Sequence, residues 1–265
     1  MKRLLLLLAC CLAPYFSLAQ EDTLHFARLD SALVGYMAGI ERLETDAKAD
    51  ECDFLIGSAA DSVVRRHIAL FLYDAYKDSR LMGDEAVAIY LYDTYFASGK
   101  IPMRSEFDRM EADIFATFNR ATLLGRKAPR VSLLNPCGRK VEIPEAGSLA
   151  ILYFYDTGCG KCRVQSAFLP GVLQDVGFPV RFYAVYCGTD KAAWRKFRRT
   201  FRVRNPRVGV VHLWDPRLES DYLKAYGVIS TPRLYVALED GEIVGRRLEV
   251  ESLQEILAAI RQARL

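Results

Sequence analysis

A length of 265 residues suits one large domain or two small ones. A net charge of +3 is close to neutral and gives no electrostatic reason to invoke nucleic acid, so no nucleic-acid partner is expected. Beyond the N-terminal leader no segment is apolar and long enough to cross a bilayer, which excludes a transmembrane segment in the mature chain.

The chain opens MKRLLLLLACCLAPYFSLAQED. Lys2 and Arg3 precede an apolar run from Leu4 to Leu18, which Pro14 interrupts. Ser17 and Ala19 place small residues at the −3 and −1 positions of a cut before Gln20. This is the pattern of a secretory signal peptide over residues 1–19, and the periplasm is the expected compartment. The stretch LLAC is lipobox-like, so anchoring as a lipoprotein at Cys10 is the rival reading. Against it, only six residues separate Arg3 from Cys10, a short apolar core. Removing the leader leaves five cysteines: Cys52, Cys137, Cys159, Cys162 and Cys187. An odd number leaves at least one unpaired or transiently paired, in a compartment that permits disulfides.

Residues 20–127 read as a helical domain. Val64, Ile68, Phe71, Leu72 and Ala75 share one face of a first helix, and Val87, Tyr90, Leu91 and Tyr95 one side of a second. A third begins with Ser105 and Asp108 in capping-box spacing and carries a stripe of Phe107, Met110, Ile114 and Phe118. These aromatics are expected in the core. No chemistry is visible in this half.

Near Lys127 the pattern changes, and residues 128–265 read as an α/β domain. VSLL and KVEI flank the turn NPCG as a hairpin. LAILYFYD, Leu149 to Asp156, is nearly all apolar, as a strand covered on both faces should be. A helix should follow through about Val176, bent or broken near Pro170 and Gly171. VRFYAVYC reads as a second buried strand, KAAWRKFRRTF as a basic helix, VGVVHLW as a further strand and LESDYLKAYGV as a helix. A hairpin turning at Asp240-Gly241 and an amphipathic helix close the chain. Strands alternating with helices predict a mixed sheet flanked by helices, preceded by the all-α domain.

The stretch TGCGKC places Cys159 and Cys162 two residues apart, directly after a buried strand. A zinc site needs a second Cys pair or paired His, and His25, His67 and His212 are scattered singly, so no metal is expected. A passive disulfide has no need of a strand leading into a helix start, whereas a redox pair does. Unpaired N–H groups and the macrodipole at a helix N-terminus favour a thiolate. Cys159 is then the nucleophile that forms a mixed disulfide with a partner, and Cys162, one turn on, resolves it. Lys161 adds a positive charge to the loop or is simply solvated. Thr231-Pro232 stands directly before an apolar strand. A cis bond there would present the backbone of Thr231 beside the cysteines.

With strand, C-x-x-C, helix, Thr-Pro and DG hairpin in this order, residues 128–265 resemble the TlpA/ResA-like thiol-disulfide oxidoreductases, which have the thioredoxin fold. APRVSLLNPCGRKVEI, LAILYFYDTGCGKC and WDPRLESDYLKAYGVISTPRLYVALEDGEIVGRRL carry the resemblance. The helical half resembles N-terminal domains attached to such modules in exported Bacteroidetes proteins. The resemblance implies Cys159 and Cys162 as the catalytic pair, Pro232 as the cis-proline that with Thr231 meets substrate, and no cofactor. It implies protein disulfides as substrates and an upstream thiol as electron donor. Three positions depart from the family and are expected to modulate the pair. Gly158 stands where Trp is usual, Lys161 where Pro is common, and Gln165 where an acidic residue often sits. Gln hydrogen-bonds but cannot carry a proton at neutral pH. A catalytically weak interaction module, with the helical domain as its partner surface, is the alternative function. Peroxiredoxin chemistry would want T-x-x-C, and Thr157 is one residue too close to Cys159.

Cys187 ends a strand that, if parallel to Leu149–Asp156, reaches the same rim of the sheet; it is a third redox thiol or a small buried apolar residue. Cys52 and Cys137 are left open as a pair across the two halves. From Lys191 to Arg207 there are eight Lys or Arg and no acid: a solvated face, or a docking surface for an acidic partner or an anionic membrane face.

Overall fold

A computed structural model describes residues 26–264. The leader, its cleavage site and Cys10 lie outside the described residues. The chain divides into two compact units, one ending at Leu72 and one running Tyr73–Leu265.

In the first unit, residues 26–40 form α1, followed by α2 (Thr45–Ser58) and the start of α3 (Ser62–Lys77). Leu33, Cys52 and Ile56 are buried, and Phe26 stacks on His67, whose Nε2 lies 2.5 Å from Asp30 Oδ1. On α3 the buried face is rotated from the expected stripe. Ala69, Leu72, Tyr73 and Tyr76 are enclosed, while Val64, Phe71 and Ala75 are only half-buried.

The second unit begins with α4 (Asp84–Leu91), which passes directly into a π-helical turn, Tyr92–Ala97. The wider π turn shifts the inward face, so Phe96 is buried rather than Tyr95. In α5 (Glu106–Asn119) the capping box forms as expected: Ser105 Oγ accepts from Asp108 N at 3.1 Å. The expected core stripe does not form. Phe107, Met110 and Ile114 face solvent, and Ala112, Ala116 and Asn119 are buried instead. Small side chains let the helix axis close on its neighbours, and that contact outcompetes the larger but separate apolar stripe.

The sheet has seven strands in the order β2-β1-β5-β4-β3-β6-β7. These are β1 (Val131–Leu134), β2 (Lys140–Ile143), β3 (Ala150–Tyr155), β4 (Val180–Tyr186), β5 (Val208–Trp214), β6 (Arg233–Ala237) and β7 (Ile243–Gly245). β3, β4 and β5 are parallel, and β1–β2, β1–β5, β3–β6 and β6–β7 are antiparallel. Every residue of β3 is buried because both faces are covered. Period-2 alternation sends Ile151, Tyr153 and Tyr155 into one core with Leu169, Trp194 and Leu253. Ala150, Leu152 and Phe154 enter the other, with Tyr183, Tyr222 and Tyr226.

The first core is roofed by α6 (Gly160–Gln174), α7 (Lys191–Thr200) and α9 (Val250–Ala263). Of the bend or break expected near Pro170 and Gly171, the break does not occur: α6 runs through Pro170. A proline removes one helical N–H bond, and the buried Leu169, Val172 and Leu173 hold the turn in place. The second core is closed by the short α8 (Tyr222–Ala225). Gly227 ends that turn at φ +57°, and a Cβ there would collide with the Phe118 carbonyl, so α5 approaches this closely only because the residue is glycine. Arg246, just after β7, is fully buried. Its guanidinium lies 2.7 Å from Glu85 Oε1 and donates to Asn119 Oδ1 at 2.9 Å, tying α4 and α5 to the end of the sheet.

Candidate active site

β3 delivers the chain to the rim at Asp156. Asp156 Oδ1 accepts from Gly158 N at 2.7 Å, and this Asx turn aims the next residue at the start of α6. That residue, Cys159, is the helix N-cap: its Sγ lies 3.1 Å from the Cys162 N–H. The sulfur thus occupies the place that a Ser or Asp oxygen fills in an ordinary cap. It faces the unpaired N–H groups and the positive end of the helix. Cys159 and Cys162 are joined in a disulfide with Cα atoms 5.2 Å apart. Cys159 is partly exposed and Cys162 is enclosed, so only the first sulfur is open to a partner.

The Thr231–Pro232 bond is cis, and the Thr231 carbonyl oxygen lies 3.3 Å from Cys159 Sγ. Antiparallel pairing of β6 with β3, in the register Phe154↔Arg233, brings this segment to the cysteine loop from far along the chain.

The three departing residues lie around the pair. Gly158 is exposed on the loop. Lys161 Nζ sits 2.5 Å from Glu249 Oε1. Gln165 is buried one turn beyond Cys162; its Nε2 donates to Glu249 Oε2 at 2.7 Å and to the Leu248 carbonyl at 3.4 Å. Both partners are acceptors, which fixes the amide orientation and leaves the buried Oε1 without a partner. Burial raises the Glu249 carboxyl, but the hydrogen bonds from Lys161 and Gln165 outweigh it and hold the group below its ordinary range. Glu249 is therefore an anion beneath the cysteine loop, contributed by the cap position of α9. Nothing in the sequence pointed to it, because its neighbours lie more than eighty positions away. Tyr153 was also missed: its hydroxyl donates to the Cys162 carbonyl at 3.0 Å and pins the first turn of α6 from inside the core.

Among the described residues Cys52 (buried), Cys137 (exposed) and Cys187 (partly buried) are not joined in a disulfide. Cys187 N donates to the Tyr155 carbonyl at 2.8 Å, so the residue does reach the rim where β3 ends. Burial pushes its thiol up to about 12, with a Tyr222 hydrogen bond pulling weakly the other way. His212 stands edge-on to Phe197 and Phe201. Burial, with Arg198 and Arg202 nearby, lowers it to about 4, so it is a neutral, half-buried strand residue at pH 7. The basic helix α7 is capped by Asp190, which accepts from Ala192 N and Ala193 N, and its Arg198 lies over the Trp194 ring at 4.8 Å.

No family model matches the chain, and no curated protein matches it. Among solved structures, a thioredoxin-like protein from Bacteroides caccae aligns at a TM-score of 0.64 and 14% identity, covering 89% of this chain and 84% of that one. A thiol-disulfide oxidoreductase from Bacteroides fragilis aligns at 0.43 and 19% identity, over 51% of this chain and 99% of that one. A thiol:disulfide interchange protein from a Bacteroides species aligns at 0.43 and 21%, over 52% and 90%. The first of these establishes the fold: a thioredoxin-like mixed sheet with a helical N-terminal region. Among the described residues no helix is long and apolar enough to cross a membrane.

Proposed function

We propose that this thioredoxin-fold chain is an exported thiol-disulfide oxidoreductase of the TlpA/ResA-like kind, reducing or exchanging disulfides of periplasmic proteins through Cys159 and Cys162. The single observation that carries the reading is the C-x-x-C disulfide at the N-cap of α6 with the cis Thr231 carbonyl 3.3 Å from the exposed sulfur. In the reduced protein the Cys159 thiolate, favoured by the helix end, attacks one sulfur of a client disulfide. The client S–S bond breaks, a mixed disulfide forms, and the released client thiolate takes up a proton. Cys162 then attacks Cys159, expels the second client thiol and closes the intramolecular disulfide. Two electrons pass from the dithiol to the client, and an upstream dithiol returns them. Thr231 offers its backbone to the client main chain beside the reacting sulfur, as an edge that an extended segment joins. Exposed Ile229, just before the cis bond, adds an apolar contact for a protein client. Gly158, Lys161 and Gln165 modulate the pair: Gly158 leaves the loop open, and the other two hold Glu249 in place.

Residues 128–265 carry this chemistry in the proposal, and residues 20–127 serve as a partner-binding portion after removal of a signal peptide at 1–19. The exposed stripe Phe107, Met110 and Ile114 on α5 supports a partner surface. It equally supports the second reading, an interaction module with weak catalysis. A Cys162→Ser variant should accumulate mixed disulfides through Cys159, released by reductant. No trapped client, together with no reduction of insulin disulfides by the wild type, would refute the enzyme in favour of the module.

A further inference from the structure

A groove of about 730 Å³ opens between α6 and α7, lined by Gly158 and Cys162 at its head. It lies on the β4 side of β3, whereas Thr231 and Pro232 lead into β6 on the other side, so the two features flank the cysteine loop. The volume falls in the range of pockets that enclose small molecules. Tyr155 lies at its base with the Phe197 ring 4.1 Å away, and Phe201 and Pro170 extend the apolar wall. Arg163 on α6 and Lys196 on α7 stand on the two opposing helices; both are exposed, and neither has an ion-pair partner among the described residues. Asp156 also lines the groove, but its Oδ1 is engaged by Gly158 N.

A second, independent observation concerns Tyr155. The residue is 1% exposed and its hydroxyl has no hydrogen-bond partner. The flanking tyrosines are served differently: Tyr153 donates to the Cys162 carbonyl, and Tyr186 lies 3.4 Å from Thr157 Oγ1. A buried hydroxyl left unpaired is costly, so an orphan beside a groove points to an oxygen that arrives with a ligand. Burial keeps the proton on the phenol, which makes it a donor.

We propose that this groove binds a small amphipathic carboxylate. Its apolar, aromatic body lies against Phe197 and Phe201. Its carboxylate sits between Arg163 and Lys196, and an oxygen at its far end accepts from Tyr155. The groove is set apart from Thr231, where a client main chain would pair, and this favours a free acid over a client segment. The occupant shields Cys162 while leaving the Cys159–Thr231 edge open.

Calorimetric titration of the full-length oxidised protein with 3-(4-hydroxyphenyl)propionate, and with the corresponding amide, tests the assignment. The acid should saturate and bind at least about tenfold tighter than the amide, because only the acid makes charge-assisted bonds. Lys196→Glu and Arg163→Glu should each weaken the acid by about tenfold. Both side chains are on the surface, so folding is retained. Ala167→Trp should fill the groove and abolish binding. Equal affinity of acid and amide, absence of saturation, or indifference to both charge reversals would overturn the proposal. Stronger binding of a capped Phe-Glu dipeptide than of the free acid would overturn the small-molecule assignment. None of these measurements needs thiol turnover. A protein that traps no client and is inert toward insulin, yet still binds the acid, would refute the oxidoreductase and leave this site standing.

Discussion

The loops after β3 and after β4 start alike and end differently. The two strands are parallel neighbours paired Tyr155↔Tyr186, both ending on a buried tyrosine, and each carries a cysteine to the same rim before a helix begins. After β3 the cysteine is itself the helix cap, with its sulfur 3.1 Å from a helix N–H. After β4 the cysteine comes three residues before the cap, and Asp190 takes that position. Cys187 is left among the strand backbone and Tyr222, where burial keeps its proton on. Placement relative to the cap, rather than placement on the rim, is what separates the proposed nucleophile from Cys187.

The sharpest way to break this contrast is to remove each sulfur in turn. Cys159→Ala should lower insulin disulfide exchange at least about a thousandfold, because no other cysteine stands partly exposed at the helix cap beside the Thr231 carbonyl. Cys187→Ala should leave exchange within about twofold, since the thiol acts there as a small apolar side chain. Comparable losses in both variants would mean that the β4 loop takes part in the chemistry.

A pH series on the reduced native protein gives the next largest effect. Alkylation of Cys159 should proceed near neutrality, while Cys187 should resist until the pH approaches about 12. The same shift has a consequence for stability. Burial raises the folded thiol from 9.0 to about 12, so between these values the folded protein holds a proton that the unfolded chain has lost. The contribution is therefore fully present below about pH 9 and disappears as pH climbs toward 12. Cys187→Ala should flatten that alkaline loss in a denaturation series. Labelling of Cys187 at neutral pH at the rate of Cys159 would contradict the raised thiol that its desolvation implies.

What the sequence made legible follows the range of the interactions. The β3 strand, the cysteine loop, the start of α6 and both hairpins are local patterns, and each appears where its residues place it. Thr231-Pro232 was legible because order along the chain stood in for distance. The face of α5 was not. Phe107, Met110 and Ile114 satisfy helical periodicity, yet Ala112 and Ala116 win burial because small residues allow closer approach, a property of the neighbours as much as of the helix. Glu249 was illegible for the opposite reason: its role depends wholly on which side chains α6 presents to the start of α9.

The smallest expected effect isolates that carboxylate. In Glu249→Gln the new side-chain oxygen can still accept from Gln165 Nε2, so the buried hydrogen bond survives and only the charge is removed. Lys161 then keeps its charge without a partner, two residues from Cys159 in the first turn of α6. An unneutralised cation there favours the thiolate, so the alkylation profile of Cys159 should move to lower pH. Lys161 is 62% exposed, so water screens the effect and added salt should erase most of it. Lys161→Gln should move the profile the other way, because it leaves the Glu249 anion facing the loop alone. The Cys187 profile should stay at about 12 in both variants, since burial rather than this charge pair governs it. If both substitutions shifted Cys159 in the same direction, the cause would be loop geometry. The helix cap alone would then account for the difference between the two cysteines.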